Sequence, residues 1–198
     1  MIVLPLVYFY LLPLFFYAQY SPQAGDIIFQ SLPKLTRLIR AIEGITGSPL
    51  SHCGVVINRD GKWYVTESLG DVHDTPLFSF IQRGRWSRFC VYRLKSSYAA
   101  NIPSFIDALN GYRGRPYDFK FNLEDDNLYC SELVYKAYRK ATGTGLGRVV
   151  ALGNMNWQPY AKTIAAFEQA SPPLNRLMIT PKHLSQAEQL EQVFNYGY

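Results

Sequence analysis

Three residues of this 198-residue chain carry side chains suited to one reaction: His52, Glu67 and Cys130. A thiolate is a strong nucleophile, an imidazole moves protons near neutral pH, and a carboxylate can hold an imidazole in one tautomer. Together they would supply a nucleophile, a general base and acid, and an orienting group. His52 and Glu67 flank Asp60-Gly61, a strong signal for a two-residue hairpin loop. With that loop, Arg59 faces Lys62 and Gly54 faces Glu67. Side chains alternate along a strand, so His52 shares a face with Gly54, and Glu67 lies diagonal to His52 within reach. A slip of one residue would put the pair on opposite faces.

Cys130 opens a helical pattern. Leu133, Val134, Ala137, Tyr138 and Ala141 form its stripe, Gly143 and Gly145 end it, and Asp126 or Asn127 could cap it. A thiol at a helix N-terminus sits at the positive end of the macrodipole, which favours thiolate. The unpaired N–H groups there could hold an oxyanion. Lys136, Arg139 and Lys140 lie toward the other end, where the dipole favours cations. Nothing in these patterns brings helix and hairpin together. Cysteine is also a small buried hydrophobe, and histidine is often a satisfied polar group in a core. The residues alone leave those plainer roles beside the triad.

The elements that must position them can be read in order. Gly25-Asp26-Ile27-Ile28-Phe29 predicts a strand. Ser31 predicts a helix cap with Pro33 in the first turn; Leu35, Leu38, Ile39 and Ile42 follow at helical spacing, and Gly44 ends the run. Cys53–Ile57 and Trp63–Glu67 are the β-rich arms of the hairpin, and Phe89–Leu94 is another strand. Ile102, Phe105, Ile106, Leu109 and Tyr112 form a helical stripe, and residues 114–127 are a polar-aromatic loop. A short helix is expected around Thr163–Gln169, and Thr180-Pro181 reads as the cap and first turn of another. Strands joined by a hairpin, followed by helices, predict an α+β domain with a mainly antiparallel sheet.

Apolar residues at 48% and charged residues at 18% exclude a disordered chain, and the length fits one domain. The net charge of +5 is spread without a run of like sign, so no nucleic-acid partner is expected. An anionic membrane or cell-wall surface is compatible. Residues 1–18 contain no charged side chain and read as a signal peptide cut after Ala18, or as an uncleaved membrane anchor. Either would place residues 19–198, a single domain, outside the cytoplasm. Three cysteines make no disulfide framework. Cys53 should point opposite His52 into packing, and Cys90 should be core. A Cys53–Cys90 bridge would need Cα atoms about 6 Å apart. His52, Cys53, His73 and Cys130 lack any familiar zinc spacing. His73 and His183 read as solvated, Ser48 and Ser51 as loop residues, and Asp125-Asp126 as turn chemistry. Glu132 reads as a stabiliser of the helix start. Tyr117 and Tyr129 are second-rank candidates for a cleft near the thiol.

Six segments in order carry a resemblance: Gly25-Asp26-Ile27-Ile28-Phe29, Ser51-His52-Cys53-Gly54-Val55, Val65-Thr66-Glu67-Ser68, Thr75-Pro76-Leu77, Arg115-Pro116-Tyr117-Asp118-Phe119 and Tyr129-Cys130-Ser131-Glu132-Leu133-Val134. From about Gly25 to Tyr138 the chain resembles the YiiX-like branch of the NlpC-type, circularly permuted papain-like cysteine hydrolases. The tail near Thr180-Pro181 is only weakly similar. In papain-like enzymes the Cys precedes the His; in this permuted branch, as here, His comes first. The resemblance implies a permuted papain-like α+β fold whose Cys-bearing helix packs on the strand meander. It implies that Cys130 is the nucleophile, His52 the base and Glu67 the third member. The expected activity is an extracytoplasmic cysteine hydrolase cleaving an amide or peptide bond, cell-wall peptide included, through an acyl-enzyme. A lipid or acyl amide/ester hydrolase or acyltransferase is the alternative, and a non-catalytic lipid- or peptide-binding module the second. The chemistry needs no metal or organic cofactor. Cys53 departs from the pattern, where a small apolar residue is usual.

Overall fold

The structure, a computed structural model, describes residues 19–123 and 126–198. The expected signal or anchor segment (1–18) and Asp125 lie outside the described residues. The strands are β1 (Ile27–Gln30), β2 (His52–Arg59), β3 (Lys62–Leu69), β4 (Asp71–Pro76), β5 (Phe89–Leu94), β6 (Val150–Ala151), β7 (Leu177–Met178) and β8 (Leu190–Tyr196). The helices are α1 (Arg37–Thr46), α2 (Leu77–Arg83), α3 (Ile102–Asn110), α4 (Cys130–Thr142), α5 (Ala161–Glu168) and α6 (Pro181–Ser185). Six strands form one antiparallel sheet in the order β4-β3-β2-β1-β5-β8, and β6 pairs with β7.

The β2–β3 hairpin has the predicted register, with Arg59 opposite Lys62 and Gly54 opposite Glu67. Asp60 and Gly61 both take positive φ, 51° and 78°, the left-handed turn that matches strand twist. Gly54 permits a close approach: a Cβ there would lie 2.4 Å from Val65 Cγ1 and 2.8 Å from the Thr66 oxygen.

Alternation sorts the sheet into two faces. Ile27, Phe29, Cys53, Val55 and Cys90 pack with Phe105 and Leu109 of α3 and Leu133, Val134 and Ala137 of α4. Ile28, Val56, Val65 and Val91 meet Leu77, Phe80 and Ile81 of α2 on the other side. Phe29 lies opposite Cys53 on one flank and Cys90 on the other. The two cysteines are therefore two strand spacings apart, roughly 10 Å, too far for a bridge. All three cysteines are free.

Several boundaries differ from expectation. α1 starts at Arg37 with Thr36 as its cap, Oγ1 accepting from the Ile39 N–H at 3.3 Å. Ser31 cannot serve, because its hydroxyl is bonded to the Pro49 oxygen. Gly44 lies inside the helix, which ends at Gly47. Gly44 is where Tyr160 packs: a Cβ would sit 1.8 Å from the Tyr160 hydroxyl oxygen. Neither Asp126 nor Asn127 caps α4. Tyr129 holds the cap position and donates its N–H to Glu132 Oε2 at 3.2 Å, while Asp126 pairs with Arg115 at 2.8 Å. His183 is buried, with Nδ1 2.8 Å from Thr180 Oγ1. Its place inside the first turn of α6 turns it inward rather than toward solvent.

Candidate active site

The sheet itself explains why helix meets hairpin. β2 and β3 pair from the turn only as far as Gly54 and Glu67; beyond that, Ser68 and Leu69 continue with β4 alone. The segment preceding α4 takes the place left beside His52 and Cys53. Ser68 Oγ donates to the Leu128 oxygen at 2.5 Å, the Leu128 N–H to the Pro116 oxygen at 3.0 Å, and the Tyr117 N–H to the Gly70 oxygen at 2.9 Å. The polar-aromatic loop is thus a tether that seats Cys130, the first residue of α4, against the end of β2. The tail fastens the same point. Tyr129 accepts the Ile179 N–H on its hydroxyl at 2.9 Å, and Ser131 Oγ donates to the Ile179 oxygen at 2.8 Å.

The three expected residues come together, and all three are buried. His52 Nε2 lies 2.5 Å from Glu67 Oε2. That leaves Nδ1 for the Cys130 thiol, whose charge acts on the His52 ring. Burial opposes an imidazolium, but the Cys130 thiolate and the Glu67 carboxylate outweigh it and push the His52 pKa up to about 9. Burial likewise opposes the charged Glu67, yet the His52 and Arg83 bonds and charges bring it down to about 2. The Cys130 thiol is held well below its usual range. A hydrogen bond from the Cys53 thiol favours the thiolate, and against burial so do the His52 charge and the Cys53 main-chain N–H. Cys53 itself is pushed up by burial and stays a protonated donor. It does face away from His52 into the core, as expected, but it also touches the nucleophile candidate.

Sequence reasoning missed the residues that hold Glu67. Arg83 Nη2 donates to Oε2 at 2.5 Å and Thr75 Oγ1 to Oε1 at 2.5 Å. Phe80 stacks on the His52 ring, centroids 5.6 Å apart. The signal for α2 was Leu77, Phe80 and Ile81 at helical spacing after Pro76. His73, half-exposed, keeps Nδ1 on Asp71 at 2.7 Å and stays 4.0 Å from Glu67 Oε1. Ser51 accepts the Leu32 N–H, Ser48 the Leu50 N–H, and Glu132 pairs with Lys136 at 2.8 Å.

Cys130 opens onto a narrow apolar groove with about 90 Å³ of room for the centre of a water-sized atom. Tyr117 and Tyr129 flank it near the thiol. Its walls are the apolar side of α1 (Leu38, Ile42, Ile45), Ile164 and Phe167 of α5, and Met178 of β7. The stripe of α1 therefore borders a cavity, and no residue of α5 is buried.

Residues 21–194 match the family described as permuted papain-like amidase enzyme, YaeF/YiiX, C92 family. The uncharacterized protein YiiX of Escherichia coli K12 is 33% identical over 178 residues, covering 88% of this chain and 87% of that protein. A crystal structure of YiiX from Escherichia coli O157:H7, titled a metalloprotein, superposes with a TM-score of 0.83 at 32% identity. It covers 89% of this chain and 99% of that one. In this chain, no group of three or more His, Cys, Asp or Glu side chains among the described residues is arranged to hold a metal ion. The Glu67 oxygen nearest His52 is also bonded to a guanidinium, which repels a cation. These residues do not fit a metal. A mixed fold with an antiparallel sheet, the histidine strand preceding the cysteine helix, and a match over nearly the whole chain lead to one conclusion: this chain belongs to the permuted papain-like amidase family of YaeF and YiiX, and is a cysteine hydrolase.

Proposed function

We propose that the chain hydrolyses an amide bond through a thioester on Cys130, with His52 as acid and base and Glu67 as its orienting partner. The observation that carries this reading is the buried grouping of the three at a helix start: Glu67 is bonded to His52, and His52 and Cys130 each favour the other's charged form. The Cys130 thiolate attacks the carbonyl carbon, and the carbonyl oxygen takes the negative charge. Main-chain N–H groups at the start of α4 have no intrahelical acceptor and suit that oxyanion. The His52 imidazolium protonates the leaving nitrogen as the C–N bond breaks, giving the thioester. Neutral His52 then takes a proton from water, whose oxygen attacks the thioester; the acid leaves and the thiolate returns. The charge-free apolar run at residues 1–18 supports export or membrane anchoring, and with it a peptide substrate such as one from the cell wall.

A second reading keeps the chemistry and changes the acyl half of the substrate to a long apolar chain, as an amide or an ester. The groove supports it, because an apolar slot leading to a thiol suits the acyl part of a thioester. The first test is the rate of Cys130 alkylation by iodoacetamide against pH, in wild type, His52→Ala and Glu67→Gln. The expected result is an apparent thiol pKa well below the free value of about 8.5, lost in His52→Ala. A normal value, unchanged by either substitution, overturns the mechanism. Incubation with a muropeptide-like amide and a long-chain acyl amide, read as thioester mass on Cys130, then separates the two substrates.

A further inference from the structure

Glu67 has more partners than orienting one imidazole requires. Its Oε2 takes His52 Nε2 and Arg83 Nη2, each at 2.5 Å, so the two cations share one oxygen. Arg83 reaches it from the last turn of α2, one turn beyond Phe80, and its guanidinium lies 5.2 Å from the Phe80 ring centroid. The same short helix thus covers the imidazole with Phe80 and grips the carboxylate with Arg83.

The charges explain why such a grip matters. In the attacking state Cys130 is −1, His52 is +1 and Glu67 is −1, a net −1 among three buried side chains. An unpaired buried charge is costly. A guanidinium does not titrate in proteins, so Arg83 closes the row to neutrality at any working pH. The other titratable groups facing this row are Cys53 of β2, a protonated thiol, Tyr117 of the tether loop, and His73 of β4, which Asp71 holds. None of them is a permanent cation.

We infer that Arg83 is a positioning residue of the hydrolase site: it fixes the Glu67 oxygen that His52 uses and limits how strongly His52 retains its proton. This rests on the triad reading above. Removing a positive charge raises the proton affinity of every group nearby, and most for the closest. Without Arg83 the full carboxylate charge acts on His52. The imidazolium then persists to higher pH, and the neutral base that thioester hydrolysis needs becomes scarcer.

The experiment is an NMR titration of the His52 imidazole in the full chain, beside thermal unfolding. Wild type should titrate near 9. Arg83→Met and Arg83→Gln should raise the midpoint by about one pH unit, while Arg83→Lys keeps the charge and returns it toward wild type. Arg83→Gln is smaller and retains a donor, so it serves if Arg83→Met fails to fold. A merely structural role would lower the unfolding temperature and leave the midpoint alone. An unmoved or lowered midpoint in the folded neutral variants overturns the proposal. Cys130→Ala separates this from the triad reading: it should lower the His52 midpoint. If it does not, the Cys130–His52 pair fails while the Arg83 effect, carried through Glu67, is still measured.

Discussion

At Cys130 the thiolate is favoured from two sides, by the His52 charge and by the Cys53 thiol and N–H. Of the two Cys53 contributions only the S–H is specific to cysteine, since any residue other than proline would keep the N–H. Cys53→Ala should therefore move the pH dependence of Cys130 alkylation upward and slow it several-fold at pH 6, while Cys53→Ser, which keeps a donor, should move it less. Equal curves for all three would show that His52 alone sets the thiolate. The buried pair also ties stability to pH. Glu67 is lowered from 4.5 to about 2, so its contribution is complete above about 4.5 and is lost as pH falls toward 2. That gap is worth roughly 3 kcal/mol at about 1.36 kcal/mol per unit. His52 is raised from 6.5 to about 9, so its contribution is complete below 6.5 and is lost as pH rises through 9. Urea unfolding from pH 2 to 10 should give a stability maximum between these windows. Glu67→Gln should flatten the acid side and shrink the alkaline loss.

Among the elements, the hairpin has the least tolerance. Gly54 stands opposite Glu67, and a Cβ there would meet Val65 and the Thr66 backbone well inside contact distance. Gly54→Ala must push β3 away from β2 and carry Glu67 with it. The expected result is a loss of about 1–3 kcal/mol together with a Cys130 alkylation profile resembling that of Glu67→Gln. Full stability with a wild-type profile would mean the strands yield without cost. This hairpin was legible beforehand because Asp60-Gly61 fixes the turn and the turn fixes the register, which alone decides whether His52 and Glu67 share a face. α4 was legible because a long stripe with glycine stops has one reading. What lay beyond reach was long-range. Arg83, Arg85 and Arg88 look alike in sequence, and only the packing of Leu77, Phe80 and Ile81 selects Arg83 for Glu67. Leu38 and Ile42 lie on α1 as expected, whereas Leu35 falls in the turn before it; periodicity says which residues share a face, not what the face meets. Here Leu35 is 85% exposed, while Leu38 and Ile42 border the groove. The tether to Cys130 runs through backbone bonds and one serine hydroxyl, which leave no pattern to read.

For the molecule as a whole, the sheet divides the labour. One face carries the large core against α3 and α4, the other holds α2 beneath the histidine, and the tail returns to roof a groove that ends at the thiol. A folded chain normally hides an amphipathic helix's apolar side in its core. α1 and α5 instead line a slot with theirs, and no residue of α5 is buried. If the slot receives an acyl chain, filling it must cost substrate in proportion to chain length. Ile42→Trp extends a wall residue into the slot without touching His52, Glu67 or Cys130. Two excluded methylenes, at about 0.8 kcal/mol each, amount to roughly a tenfold loss in kcat/KM. Long-chain acyl amides should show that loss or more, a two-carbon acyl amide should be hydrolysed as before, and the unfolding temperature should hold. Equal losses for both lengths would place the damage at the thiol. No loss for either would leave the slot outside the path of the substrate and return the choice to the peptide.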